Sequence, residues 1–570
     1  MNLSNEQLSI IESIPSAQHH ILYANPGTGK TRIVSESINN LVGSLNVDPR
    51  TILAVAYNKD AVKTLKDRIP HEAHISTLHS LCYGIMKPNI AEYFPHLHPL
   101  RVMDNLTTRI ILNQIIPDKF KTPPSHVLRS IYFAKSRLQK KNGILTTGDE
   151  DMDKIFSLYE QEKNKRKVID YHDFCLLATH ILKSNNANPW EYIFVDEAQD
   201  LYPSMHRVIQ LLTKQTIVYC LDPKQSIMGF TGTSLEDIEK IHEWYPTLRT
   251  HTLSQNFRSS IRVIEIANQV GPKIHKLSVP MVPMTESIGD VQYLGHFNSP
   301  QEEARAIVHH IRTRNLSDVL ILYRTHWYSI AMQMELMNQD IPYTVSGLSP
   351  FLQIPEIQHL LAYIRLSQDM NDKEALFAIL NIPTRYFDKQ WFNTFYQIQF
   401  GRKTEDILSQ PIAGPIYLLE NQKKLLADLK VISILKTPHD VIHYIREEMK
   451  YDKWLSKDKI DLDDSDMDPL DTISYFHDFT QGKTYDEIIN LKPNVGGKIK
   501  LSSIHKAKGT ESQSVYVIGC TEGILPHHKA NREEELRLFY VAITRAKENL
   551  YLSSSKYLQF IDSSSFLVWN

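Results

Sequence analysis

The sequence contains few cysteines, no long apolar run and no N-terminal leader pattern. Its four cysteines lie far apart in 570 residues and form no C-x-x-C pair, which argues against a local zinc site and favours a reducing compartment. No uninterrupted apolar run reaches the roughly 18 residues of a membrane span, so we expect no membrane segment. Because residues 1–16 lack a basic region followed by an apolar core, no signal peptide is predicted and a cytoplasmic protein is expected.

Net charge and composition are those of an ordinary globular protein. The formal net charge is only −2, so any surface that binds nucleic acid must be a local groove and not a generally basic face. Apolar residues make up 42% of the chain and charged residues 22%, which provides ample material for hydrophobic cores. A length of 570 residues exceeds what one core supports, and roughly three to five domains are expected.

A glycine-rich segment follows a short apolar run near the N-terminus, and a helical pattern leaves it. The segment consists of Ile21 to Tyr23, followed by Ala24, Asn25, Pro26, Gly27, Thr28, Gly29, Lys30, Thr31 and Arg32. Backbone N–H groups around Gly27 and Gly29 can enclose phosphate oxygens at a helix N-terminus. Lys30 can reach the outer phosphates, and the Thr31 hydroxyl can ligate Mg²⁺. The segment therefore predicts a nucleotide site, although Ala24 replaces the first glycine of G-x-x-x-x-G-K-[ST]; a tight turn without a nucleotide is the alternative.

A second buried-strand pattern, residues 192–195, ends in paired acidic residues. The carboxyl ends of parallel strands are where open α/β sheets bind ligands, so Asp196 and Glu197 are expected at such an edge. Asp196 would hold Mg²⁺, commonly through water, and Glu197 would orient or deprotonate the attacking water. The alternative is a strand followed by an acidic helix cap.

Strand and helix patterns alternate in two separate parts of the chain, which predicts two parallel α/β sheets. Mostly helical stretches interrupt each part. We predict a first α/β domain over residues 1–88 and 186–270, a helical insertion over 89–185, a second α/β domain over 271–370 and 495–570, and a shorter helical insertion over 371–494.

Two basic clusters lie in the first helical stretch. Their members are Lys135, Arg137, Lys140 and Lys141, then Lys163, Lys165, Arg166 and Lys167. Such runs are usually solvated helix faces, and we expect that here; contact with phosphate groups is the alternative.

The order and spacing of these segments resemble the UvrD/Rep/PcrA family of superfamily 1 DNA helicases over nearly the whole chain. The matching segments are residues 3–7 (Q motif), 24–31, 52–65 (motif Ia), 77–80 (motif Ib), 196–200 (D-E-A-Q-D), 222–232 (motif III), 256–259 (N-F-R-S, motif IV), 503–511 (motif V) and 540–546 (motif VI). The resemblance implies two RecA-like parallel-sheet motor domains, each interrupted by a mostly helical insertion.

The resemblance also implies the roles of further residues around bound ATP. They are Gln7, which would read the adenine, Phe257 against the adenine ring, Gln225, Arg258 and Arg545 at the terminal phosphate, and Glu511 within motif V. Lys30, Arg258 and Arg545 could together spread the charge of the transferred phosphoryl group. If the two arginines lie on or near the second domain, hydrolysis is completed only when the cleft between the domains closes.

Single-stranded DNA is expected to cross both domains. Tyr57 and Phe230 match positions where the family presents aromatic residues to bases, and stacking of this kind contributes about 1–3 kcal/mol per base. His79, His505 and His527 match polar contact positions. A core position is the alternative for the two aromatic residues.

The resemblance implies an ATP-dependent helicase or translocase that moves 3′ to 5′ on single-stranded DNA and acts at junctions with duplex, nucleoid-associated if bacterial. Two alternatives are a translocase that strips proteins from DNA, and a DNA-responsive ATPase subunit that works with a partner nuclease in antiviral defence or repair. Met228 and Thr231 stand where the family has an aromatic residue and an arginine, so we expect hydrolysis and DNA grip to be coupled differently in this chain.

Overall fold

A computed structural model describes most of the chain. The described residues are 3–16, 18–117, 120, 122–185, 190–275, 279–346, 351–387, 391–392, 394–395, 402–410, 415–456, 469–491, 496–528 and 530–554. No helix within these residues is long and apolar enough to cross a membrane. All four cysteines are buried free thiols.

The strands and helices follow one another in two α/β parts. The strands are β1 (His20–Ala24), β2 (Ile52–Ala56), β3 (His74–Thr77), β4 (Lys140–Lys141), β5 (Ile144–Leu145), β6 (Trp190–Val195), β7 (Thr213–Leu221), β8 (Arg249–Leu253), β9 (Gln255–Asn256), β10 (Val282–Pro283), β11 (Asp290–His296), β12 (Val319–Tyr323), β13 (Tyr343–Ser346), β14 (Ile499–Ser503), β15 (Ser512–Val517) and β16 (Ala546–Ser554). The α-helices of the first half are α1 (Asn5–Ser13), α2 (Lys30–Gly43), α3 (Lys59–Arg68), α4 (Leu78–Tyr93), α5 (Asn105–Ile115), α6 (Pro124–Arg137), α7 (Glu150–Arg166), α8 (Asp173–Asn185), α9 (Pro203–Leu212), α10 (Leu235–Trp244) and α11 (Ile261–Val270). Those of the second half are α12 (Pro300–Thr313), α13 (His326–Asn338), α14 (Pro355–Gln368), α15 (Lys373–Ile379), α16 (Thr404–Ser409), α17 (Ile416–Ile434), α18 (Pro438–Glu447), α19 (Tyr451–Leu455), α20 (Pro469–Phe479), α21 (Tyr485–Ile489) and α22 (Arg532–Ile543).

The first α/β unit is built on a parallel sheet with the strand order β3-β2-β6-β7-β1-β8. Its central strands are continuous apolar runs because helices cover both faces of the sheet. The register pairs Val195 with Tyr219 and Tyr23 with Leu221, so β6, β7 and β1 end beside one another. The residues that follow these three strands therefore meet at one edge of the sheet.

The second α/β unit is built on another parallel sheet, with the order β11-β16-β15-β12-β14-β13. Helices α14 to α21 lie between β13 and β14 in the chain and form the second helical insertion. Two parallel sheets with helical insertions confirm the predicted fold class.

The first helical insertion, α5 to α8 with the β4–β5 hairpin, lies between β3 and β6 in the chain. Helices α5, α6 and α7 share a core of their own, whereas α8 packs in a core of the first α/β unit. Its basic residues do not all form the solvated faces that were predicted. Lys135 and Lys163 are buried, and each binds the same three acidic residues. Lys135 Nζ lies 2.7 Å from Asp170 Oδ2 and 2.7 Å from Asp173 Oδ1. The prediction of a solvated face was wrong for both lysines. The acidic residues that pair with them surround the two ammonium groups only once α6, α7 and α8 have packed together.

These five charged side chains, Lys135, Glu160, Lys163, Asp170 and Asp173, form an ion network that holds α6, α7 and α8 together. The network includes the acidic trio that could otherwise hold a cation, and the two ammonium groups lie among these carboxylates. A charge buried in this way is tolerated only when it is paired and hydrogen-bonded.

Lys135→Met should loosen the first helical insertion, because it leaves the buried carboxylates without half of their counter-charge. Removing one partner of a buried ion pair costs about 3–5 kcal/mol. Native-state hydrogen exchange of the amides in α6 to α8 would measure the lost protection. Lys154→Met is the matched control, since its pair with Asp151 is exposed and such pairs contribute at most about 1 kcal/mol. Equal protection in the two variants would contradict a stabilising role for the network.

Candidate active site

The loop between β1 and α2 has the backbone geometry of a phosphate-binding turn. Gly27 and Gly29 both adopt the left-handed conformation, with φ of +73° and +88°. A Cβ atom at Gly27 would lie 2.7 Å from Arg258 Cβ, so a larger residue there would displace the chain. The Thr28 hydroxyl donates to the Asn25 carbonyl over 2.8 Å and closes the turn. The loop therefore presents the N-terminus of α2, which favours an anion.

Gln7 connects the first helix to this loop. Ser4 and Gln7 form a capping box at the start of α1, in which the Ser4 N–H donates to Gln7 Oε1 over 3.2 Å. The same side chain donates from Nε2 to the Thr28 carbonyl over 3.0 Å. A Cβ atom at Gly29 would lie 2.9 Å from that nitrogen. The structure thus brings Gln7 to the loop, as predicted for an ATP-site residue.

A hydroxyl and a carboxylate meet beneath the loop. Thr31 Oγ1 donates to Asp196 Oδ2 over 2.9 Å, and Asp196 directly follows β6. Burial and the adjacent Glu197 raise the pKa of Asp196. Hard oxygen donors of this kind fit Mg²⁺, which is commonly held by one or two protein oxygens together with phosphate oxygens and water. The donor set at Thr31 and Asp196 is therefore compatible with the predicted metal.

Glu197 occupies a strained backbone conformation beside these residues. Its φ is +54°, in the left-handed region that is uncommon and strained for a non-glycine residue. Gln199 Nε2 donates to one carboxylate oxygen, and Lys30 Nζ lies 3.5 Å from the other. Burial opposes ionisation of Glu197, but the Lys30 and Lys508 ammonium groups outweigh it and lower the pKa to about 2. The carboxylate is therefore ionised and fixed at neutral pH.

Side chains from both α/β units meet next to Glu197. Gln225, which follows β7, donates from Nε2 to Asp222 Oδ2 over 2.8 Å. Its Oε1 accepts from Arg545 Nη2 over 2.9 Å, and Arg545 follows α22 of the second unit. Arg545 is buried, and this burial lowers the pKa of its guanidinium to about 9. The structure thus brings together two predicted site residues that lie more than half the chain apart.

Arg258 and Glu511 form a second contact between distant segments. Arg258 Nε lies 2.6 Å from Glu511 Oε2, and Lys547 Nζ lies 2.9 Å from Glu511 Oε1. The Phe257 N–H donates to the Gly27 carbonyl over 2.9 Å, which places the half-buried Phe257 beside the loop. Arg32 lies half-buried on α2. Phe257 and Arg258 thus lie beside the loop, and Arg258 connects the loop to Glu511.

Three residues in the cleft were not predicted. Lys508 donates to the Gln225 carbonyl over 2.9 Å and pairs with Asp200. Gln199 Oε1 accepts from the Asp222 N–H over 3.1 Å, and Lys224 donates to Asn25 Oδ1 over 2.6 Å. These residues stand inside the matching segments, but their importance depends on contacts between segments that the sequence does not show.

Further contacts join the motif III segment, defined as residues 222–232, to the second unit. Arg537 Nε donates to the Ser226 carbonyl over 2.7 Å, and the Gly229 N–H donates to Glu534 Oε1 over 3.2 Å. Between them the Ile227 side chain is fully buried in the hydrophobic core of the second unit. The second unit thus contacts the motif III segment from Gln225 to Gly229.

Comparison with known proteins agrees with this arrangement. The family model for the UvrD/REP helicase N-terminal domain matches residues 3–246, and that for the UvrD-like helicase C-terminal domain matches residues 251–416 and 446–557. The chain belongs to the UvrD/Rep helicase family. ATP-dependent DNA helicase Rep of Escherichia coli (strain K12) is 27% identical, with 94% of this chain and 88% of that protein covered. ATP-dependent DNA helicase PcrA of Bacillus subtilis (strain 168) is also 27% identical, with 94% of this chain and 80% of that protein covered.

The nucleic-acid residues predicted from the UvrD/Rep resemblance lie in varied surroundings. Tyr57 follows β2 and is 39% exposed, with Lys508 Nζ 5.9 Å from its ring centre. His79, His505 and His527 are half-buried. Burial lowers the pKa of His505 to about 3, so this ring is neutral at pH 7. Phe230 lies in the short turn of residues 229–231, and its side chain is outside the described part of the structure.

Proposed function

We propose that this UvrD/Rep-family protein is a 3′-to-5′ translocase and helicase on single-stranded DNA that hydrolyses Mg²⁺-ATP between its two α/β units. The observation that carries the proposal is the hydrogen bond from Arg545 of one unit to Gln225 of the other, beside an ionised Glu197. The relatives named ATP-dependent DNA helicase Rep and PcrA support the DNA substrate.

The ATP site is proposed to work by positioning and electrostatic stabilisation. Thr31 and Asp196 would hold Mg²⁺, which neutralises charge on the phosphate oxygens when bound. The N-terminus of α2 and Lys30 would bind the phosphates. Glu197 would orient or deprotonate the attacking water. Its low pKa keeps the carboxylate ionised, so it can accept a hydrogen bond from that water.

Gln225, Arg258 and Arg545 are proposed to complete the site at the terminal phosphate. Because Arg545 belongs to the second unit, its guanidinium can reach a nucleotide on the first unit only while the cleft is closed. Hydrolysis and product release would then alternate with closing and opening, and this movement would advance the protein along DNA.

We propose the domain bounds predicted from the sequence, although the buried side chains of α11 pack in the hydrophobic core of the second unit. We assign residues 1–88 and 186–270 to the first motor domain, 89–185 to its insertion, 271–370 and 495–570 to the second motor domain, and 371–494 to its insertion. Tyr57, His79, Phe230, His505 and His527 are proposed to contact single-stranded DNA or its junction with duplex.

ATPase assays with and without single-stranded DNA, together with strand displacement on duplexes that carry a 3′ or a 5′ tail, test this proposal. The proposal expects stimulation by DNA and displacement only from the 3′ tail. Displacement from the 5′ tail would refute the direction. Stimulation without displacement would instead favour a DNA-responsive ATPase subunit that needs a partner such as a nuclease.

Tyr57→Ala should weaken the affinity for single-stranded DNA about tenfold, because one stacked base contributes about 1–3 kcal/mol. Tyr57 is suited to this role because its ring is partly exposed beside Lys508. Fluorescence anisotropy with a labelled oligonucleotide would measure the change. Tyr417→Ala is the control, since Tyr417 is similarly exposed on α17 of the second helical insertion. Equal affinities of the Tyr57 variant and the wild type would remove Tyr57 from the DNA face.

A further inference from the structure

The motif III segment is held on a second side by the first helical insertion. Arg137, the last residue of α6, donates from Nη1 to the Gly232 carbonyl over 3.3 Å and pairs with Asp237. Gly232 has φ of +99°, and a Cβ atom there would lie 2.9 Å from Ser136 Cβ. The end of α6 therefore packs directly against the turn that closes motif III.

The last turn of α6 makes further contacts through Lys135 and Ser136. Lys135 belongs to the buried ion network, and the Ser136 hydroxyl pairs with His172 Nδ1 over 2.9 Å. The His172 ring lies 5.9 Å from the Tyr202 ring, and the Tyr202 hydroxyl pairs with His79 Nε2 over 3.3 Å. A continuous set of contacts thus leads from His79, a proposed DNA contact, through α6 to motif III.

The pair between Arg137 and Asp237 is well shielded from solvent. The Asp237 side chain is 1% exposed and that of Arg137 is 19% exposed. Asp237 lies in the first turn of α10, so this pair joins the insertion to the first α/β unit just after motif III. Since a buried carboxylate needs a counter-charge, Arg137 is held in this position.

We propose that Arg137 is a positioning residue for DNA-stimulated hydrolysis. It links the turn at Gly232 to the first helical insertion, so that DNA bound beside the insertion tightens the contact between Gln225, in the same segment, and Arg545. The inference rests on the proposed function, because it requires that DNA stimulates hydrolysis.

The test is ATPase activity of Arg137→Met at zero and at saturating single-stranded DNA. We expect the maximal stimulated rate to fall about tenfold, the size of effect that loss of a charged hydrogen bond produces, with the DNA-free rate changed by less than about twofold. Lys154→Met is the matched control, since it removes one charge from an exposed pair in the same insertion. If the wild type shows no stimulation, the proposed function itself fails and the inference falls with it.

Three other results would overturn the inference alone, with stimulation of the wild type intact. They are an unchanged maximal rate, an equal loss of basal and stimulated rates, and a weaker DNA affinity with a normal rate at saturation. The third result would mean that Arg137 contacts a phosphate group of the DNA.

Asp237→Asn provides an independent variant, in which the stimulated rate should also fall while the DNA-free rate stays nearly unchanged. The double variant should lose no more than either single one, whereas additive losses would mean that the two residues act separately.

Discussion

Glu197→Gln should abolish steady-state ATP hydrolysis and leave nucleotide binding intact. The amide preserves the size of the side chain but cannot accept a proton from water, and loss of a general base lowers rates by about 10²- to 10⁴-fold. Asp196 and Thr31 remain in place, so the metal donor set is unchanged. Turnover assays together with binding of a fluorescent ATP analogue would separate the two effects.

The matched control for this prediction lies in the same part of the chain. Glu191→Gln changes a carboxylate near the start of β6 that is 36% exposed and pairs with Lys214. This variant should hydrolyse ATP at the wild-type rate. If Glu197→Gln also turned over at the wild-type rate, the catalytic base would have to be a different residue.

Arg545→Ala should reduce the ATPase turnover number by about three orders of magnitude, since an arginine at the transferred phosphoryl group contributes about 10³- to 10⁵-fold. The variant also removes the hydrogen bond to Gln225 Oε1 by which the second unit reaches the first. Single-stranded DNA affinity should stay within about twofold, because Arg545 is buried in the cleft and not on the DNA face.

Arg532→Ala is the control for this variant, since Arg532 starts α22, the helix that Arg545 follows, but its side chain is 66% exposed. Stopped-flow measurement of a single turnover would show whether the chemical step or product release has slowed. A normal chemical step in Arg545→Ala would contradict the proposed role at the phosphoryl group.

The central strands were the most predictable part of the fold. The structure confirms the predicted buried strand at β6, because a strand covered on both faces reads as an unbroken apolar run. Strand β8 was not predicted. It lies at the edge of the first sheet and is mostly polar and exposed, so its sequence lacks that pattern.

The candidate site was predictable where one segment carries the chemistry. The loop at Gly27 to Thr31 and the pair at Asp196 are examples, because each feature depends on neighbours in sequence. Contacts such as Lys508 with Asp200 depend on how two units dock, and no local pattern encodes that. The DNA contacts stay predictions.

The burial of Ile227 makes the free energy of opening the cleft depend on temperature. The contacts of Gln225, Ser226 and Gly229 with the second unit are hydrogen bonds, which water can replace at little net cost. Ile227 is different, since its side chain is buried in the core of the second unit and any opening along motif III must expose it. Exposing an isoleucine costs about 1.5–3 kcal/mol near 25 °C, and this cost shrinks on cooling because apolar hydration carries a large heat capacity. The closed cleft is therefore held less firmly in the cold, and the barrier to opening should have a curved temperature dependence.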